Sequence, residues 1–157
     1  MEGLTGPPEA NLGEQPEIDF LILADRAEAI NGKLYMMGGG WDRLGVVDFA
    51  QPVSFSLALG ILVPWNLTNQ EHPVRIWTEH EDGTRVGPEI QAGVNMGRPP
   101  IAVPGQAFRA LIVVNAAWKL PRPGTYCVKA TVANRQPKRV AFHATEAQPA
   151  VRRPSSS

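Results

Sequence analysis

Val53-Ser54-Phe55-Ser56-Leu57-Ala58-Leu59-Gly60-Ile61-Leu62-Val63 is the stretch that decides the fold. Val53, Phe55, Leu57, Leu59, Ile61 and Val63 alternate with Ser54, Ser56, Ala58, Gly60 and Leu62. Successive side chains of a strand point to opposite faces, so this period of two puts the large apolar residues on one side and a mostly small-residue face on the other. A helix would scatter the same residues around its circumference. Pro64 ends the strand, because proline cannot donate to a ladder.

Working outward, the same pattern recurs. Val74, Ile76 and Thr78 point one way, and Arg75, Trp77 and Glu79 the other. Asp82-Gly83 supplies a tight hairpin turn, since glycine tolerates positive φ. Residues 84–94 return as a strand in which Pro88 signals an edge or a bulge. Gln106 to Lys119 is apolar on both faces, with Phe108, Ile112, Val114 and Trp118 on one side and Leu111 and Val113 on the other. That reads as a central strand. After Pro121-Arg122-Pro123-Gly124, the residues Tyr126, Val128, Ala130 and Val132 alternate with Thr125, Cys127, Lys129 and Thr131. After Asn134-Arg135-Gln136-Pro137, a last strand carries Val140 and Phe142 inward. Toward the N-terminus, 18–23 and 33–37 are further strands. Between them Asp25 to Ile30 is expected to form at most one helical turn, capped by Asp25 and stopped by Asn31-Gly32.

Seven to eight short strands at this spacing predict an all-β, immunoglobulin-like antiparallel β-sandwich. Gly124-Thr125-Tyr126-Cys127-Val128 resembles the Gly-x-Tyr-x-apolar corner of immunoglobulin-like and fibronectin-like sandwiches, in which the tyrosine hydroxyl bonds back to the preceding loop. The disulfide cysteine of antibody domains would fall at position 128, which is valine here. The likeness is therefore to the general sandwich.

Composition sets the outer limits. The chain has 157 residues, 43% of them hydrophobic, enough for one core and one domain. Glycine and proline number 15 each, which disfavours long helices. Residues 1–16 and 146–157 carry too little apolar surface to offset ordering entropy and are expected to be a disordered leader and tail around a domain at 17–145. The formal net charge is zero, so no nucleic-acid partner is expected. No apolar run spans a bilayer, and the single cysteine allows no internal disulfide. A soluble cytoplasmic protein is the expectation.

The usual chemical signatures are missing. Asn31-Gly32-Lys33 and Gly38-Gly39-Gly40 match neither a P-loop nor a dinucleotide fingerprint, both of which need a long helix behind the loop. The Glu79/His80/Asp82 cluster is the densest set of metal-ligand types, yet neighbours on a strand diverge to opposite faces. Cys127 and His143 form a possible thiol pair, but cysteine is mostly a small buried hydrophobe. No catalytic residue, metal or cofactor is assigned. What remains is aromatic: Trp118 belongs to the core, whereas Trp41 and Trp65 sit in loops. Beside Asp42, Arg43 and Asn66 they are candidate binding residues, and their alternative role is to cover the ends of the sandwich. The expected function is a non-catalytic binding or interaction module for an unknown protein or small ligand. Homo-oligomers are open to it. The alternatives are a carbohydrate- or small-ligand-binding sandwich and, less favoured, a metal- or Cys/His-dependent enzyme.

The chain also resembles a family of uncharacterised bacterial proteins of actinobacterial type. The stretches that carry the resemblance are Asp19-Phe20-Leu21-Ile22-Leu23-Ala24-Asp25, Asn31-Gly32-Lys33-Leu34-Tyr35, Gly38-Gly39-Gly40-Trp41-Asp42, Val63-Pro64-Trp65-Asn66 and Pro121-Arg122-Pro123-Gly124-Thr125-Tyr126. The resemblance covers roughly the whole predicted domain and implies no activity and no catalytic residue.

Overall fold

The computed structural model describes residues 15–148. Nine strands run in chain order: β1 Glu17–Ile30, β2 Lys33–Gly39, β3 Arg43–Val46, β4 Val53–Val63, β5 Glu71–His80, β6 Arg85–Asn95, β7 Phe108–Trp118, β8 Gly124–Val132 and β9 Lys138–Glu146. A single 3₁₀ turn, Trp65–Leu67, follows β4. The strands form two sheets, ordered β2-β1-β4-β7 and β3-β9-β8-β5-β6. The sheets face one another across one apolar core, giving an all-β sandwich.

β4 sits between β1 and β7 and supplies the centre of that core. Leu57, Leu59, Ile61 and Val63 are fully buried, and Phe55 nearly so. The opposing sheet contributes Val74, Ile76, Tyr126, Val128, Val132 and Phe142. Phe55 stacks on Trp118 at 4.8 Å and meets Phe142 edge-on at 5.6 Å, so the predicted core place of Trp118 holds. The Tyr126 hydroxyl donates to the Arg122 carbonyl at 2.5 Å and accepts from the Arg122 amide at 3.2 Å, the back-bonded corner expected from its motif.

Several expectations need correction. Asp25 to Ile30 is no helical turn but the distal half of β1. Asn31 and Gly32, with φ of 50° and 73°, close a two-residue hairpin to β2 rather than stopping a helix. The strand count rises from the predicted seven to eight to nine because Arg43–Val46 forms β3, too short for periodicity to reveal. It pairs with β9 in parallel, so the sandwich is not wholly antiparallel. β7 is no central strand; it lies at the edge of its sheet. Most of the expected leader and tail lies outside the described residues. Within them Pro16 is buried and β9 runs through Glu146.

Candidate interaction surface

The tryptophan loops come to opposite ends of the sandwich. Trp41 lies between β2 and β3 and packs edge-on against Phe55 and Phe142, at 5.4 and 5.8 Å. It caps the core there. The side chains of Asp42 and Arg43 face solvent, while the Asp42 carbonyl accepts from the His143 amide and so anchors β9. Trp65 lies just past the other end of β4. The eight residue steps from Phe55 to Val63 climb about 26 Å at the usual strand rise. The Arg98 guanidinium covers the Trp65 ring at 4.1 Å and donates to the Trp65 carbonyl. Phe108 flanks the ring at 6.1 Å, and Asn66 is exposed beside it. Trp41, Asp42 and Arg43 therefore share no surface with Trp65 and Asn66.

The candidate chemical clusters separate likewise. Glu79 leaves β5 on the outer side and pairs with Lys129 at 2.7 Å, and that hydrogen bond holds its carboxyl below the ordinary range. His80 points the other way and is buried, with its Nδ1 3.1 Å from the Arg122 guanidinium. Asp82 is held at a pKa of about 2, chiefly by hydrogen bonds from Thr84. His143 bonds the Thr125 hydroxyl at 2.8 Å, whereas Cys127 lies across from Ala141. Burial pushes the Cys127 thiol up. Among the described residues no three His, Cys, Asp or Glu side chains come together as metal ligands, and no helix is long and apolar enough to cross a membrane.

The two outer faces of the sandwich differ sharply. The outer face of the five-stranded sheet is laced with charge. Arg75 and Arg85 both pair with Glu89 and both lie over the Trp77 ring, and the Trp77 indole donates to Glu79. This is how a strand face meets water.

The outer face of the four-stranded sheet is apolar. Register places Phe20, Gly60 and Leu111 in one row across β1, β4 and β7, and Ile22, Ala58 and Val113 in the next. Leu62 extends the surface at one end. Ala24, Ala27 and Ala58 are buried beneath Leu34, Met36 and Val113 as a second, smaller apolar cluster. The Phe20 ring lies over Gly60, where any Cβ would collide with it. The face has a polar border: Asp19 and Arg109 form a 2.6 Å ion pair at one end. At the other, Ser56, Asn115 and the Ala27 backbone form a closed hydrogen-bond set where β1 leaves β4.

Sequence reasoning missed this surface because each strand was read alone. Leu111 and Val113 were visible as a second apolar side of β7, and Phe20 and Ile22 lay in a continuous apolar run. Only register shows that they adjoin.

Fold and surface together define a β-sandwich with one charged and one apolar outer face. The chain belongs to a family of unknown function (DUF6941), which matches residues 19–145. No curated protein matches the sequence.

Proposed function

We propose that the protein is a non-catalytic interaction module that binds a protein partner through the outer face of its four-stranded sheet. The observation that carries this reading is the apolar row Ile22, Ala58 and Val113, with Phe20, Leu111 and Leu62 around it, on a sheet face that no element of the described fold covers. Half-buried side chains there still lose water when a partner lands, at about 25 cal/mol per Å². Two open clefts of about 350 Å³ border this face, one beside Ser56 and Asn115 and one beside Ala27 and Met36, and neither encloses a ligand, which favours a broad protein surface over a small molecule. A lone free thiol suits a reducing compartment, which supports a cytoplasmic place for the module.

Site-specific photocrosslinking tests the reading. A benzoylphenylalanine at Leu62, on the apolar face, is expected to give discrete protein adducts in native cytosol, and Ile22→Glu is expected to remove them in a folded protein. The same group at Ala141, on the charged face, is expected to give none. Equal adducts from both positions, or none from Leu62, would overturn the assignment.

A further inference from the structure

We propose that two copies of this chain pair antiparallel along β7, joining their four-stranded sheets into one continuous eight-stranded sheet. This goes beyond the partner-binding face, because it uses the sheet's edge.

A strand edge exposes a row of free N–H and C=O groups, and proteins normally blunt it. Three of the four edges here are blunted. β3 is four residues long. β6 carries Gly87 and Pro88, charged Arg85 and Glu89, and a register shift opposite Ile76 and Thr78. β2 opens on Lys33 and closes on Gly38 and Gly39, with the φ of Gly38 at 59°. β7 has none of these devices. Its eleven residues contain no proline or glycine, its ladder with β4 runs unbroken from Phe108 to Trp118, and Arg109 is its single charge. Among the described residues no loop backbone bonds to any residue from 108 to 118.

Its sequence is also wrong for an edge. Both faces are apolar, the pattern of a strand with neighbours on either side. A second copy gives it that neighbour.

Self-pairing about Val113, the midpoint of the strand, brings all eleven residues into register. Phe108 then faces Trp118 of the second copy, Ile112 faces Val114, and Ala110 faces Ala116, all favourable cross-strand pairs. The two Arg109 side chains fall at opposite ends, each across from Ala117. That is about 26 Å of strand between them, well beyond a Debye length. A parallel arrangement would set them side by side. The charge placement therefore selects an antiparallel copy of the same strand.

The test is sedimentation equilibrium of the full chain from low to high micromolar concentration, with cysteine trapping in a Cys127→Ser background. A dimer is expected, and Val113→Lys, which sets two ammonium groups face to face across the two-fold, is expected to shift it to monomer at least about tenfold in concentration while circular dichroism stays native. Val113→Cys is expected to oxidise to a covalent dimer, because directly opposite residues bring Cα atoms to about 5 Å. Leu111→Cys is expected not to, since it faces Asn115. A wild-type monomer throughout, a dimer untouched by Val113→Lys, or equal trapping at 111 and 113 would overturn the proposal. Each of these outcomes leaves the Leu62 crosslinking experiment readable, so edge and face stand or fall separately.

Discussion

Replacing Tyr126 by phenylalanine removes one oxygen and leaves nearly everything else in place. The ring is fully buried, stacked on Phe142 at 5.7 Å and edge-on to His80 at 5.1 Å, and phenylalanine keeps both contacts. What disappears is the pair of hydrogen bonds to the Arg122 backbone. A net hydrogen bond contributes about 1 kcal/mol, so the pair is worth about 2 kcal/mol. Water reaching the exposed Arg122 loop recovers part of this, which caps the loss near that figure. With an unfolding entropy of about 0.3 kcal/mol per kelvin for a domain of this size, the melting temperature drops by about 7 °C. Urea unfolding is the better assay, because it separates stability from slope. The midpoint is expected to fall by about 1 M with m unchanged. Arg122→Ala is the control: it keeps both backbone bonds and removes the partly exposed pair with Asp82 and the contact with His80 Nδ1, so it should cost no more than about 1 kcal/mol. A Tyr126→Phe midpoint within about 0.2 M of wild type would refute the reasoning and shift the anchoring of this turn to the Arg122 guanidinium.

Trp41→Ala should cost about 3 kcal/mol, because it opens the aromatic end of the core at Phe55 and Phe142, whereas Trp65→Ala, losing contacts with Phe108 and Arg98 alone, should cost about 1 kcal/mol by the same denaturation assay. The Glu89 carboxyl is held at about 2 against an ordinary 4.5, first by Arg75 and then by Gln91. A depressed folded-state pKa contributes stability that is complete above the unfolded value and is lost as pH falls from about 4.5 toward 2. Stability measured across that window should therefore decline less steeply in Glu89→Gln than in wild type. Cys127, with its thiol pushed up by burial, should react with Ellman's reagent at pH 7.5 at least about tenfold more slowly than free cysteine, and a fast reaction would reopen the Cys127/His143 pair as chemistry.

The parts of the fold that were legible in the sequence are those where one strand carries its own signal. β4 alternates cleanly because one of its faces lines the core, and β8 does so for the same reason with the tyrosine corner added. β3 was illegible, since four residues give no period and its pairing with β9 depends on where the chain returns a hundred residues later. Asn31-Gly32 was ambiguous: the dipeptide suits a helix stop and a two-residue hairpin alike, and Ala27, Glu28 and Ala29 have good helix propensity. The β2 ladder and the Ser56 and Asn115 bonds to Ala27 override that preference. Of the candidate site residues, the loop placement of Trp41 and Trp65 was legible, but their separation by the length of β4 was not. The apolar outer face was the least legible feature, because its rows are drawn from three strands that are distant in sequence.

The contrast between the two outer faces bears on how the chain stays folded and dispersed. On the five-stranded sheet Arg75 and Arg85, both paired with Glu89, lie over Trp77, so the aromatic ring is covered without a partner. On the four-stranded sheet the residues in the same relation to water are Phe20, Ile22, Leu62, Leu111 and Val113. The main core does not use them, since the inward positions of β1, β4 and β7 are filled by Leu21, Leu23, Leu57, Leu59 and Ile112; Val113 alone of the five packs on the small alanine cluster. Their apolar character, beside an undefended β7 edge, is what the proposed partner contact and the proposed β7 pairing would use. That is why the crosslinking at Leu62 and the trapping at Val113 address function, whereas further work on the core would address only folding.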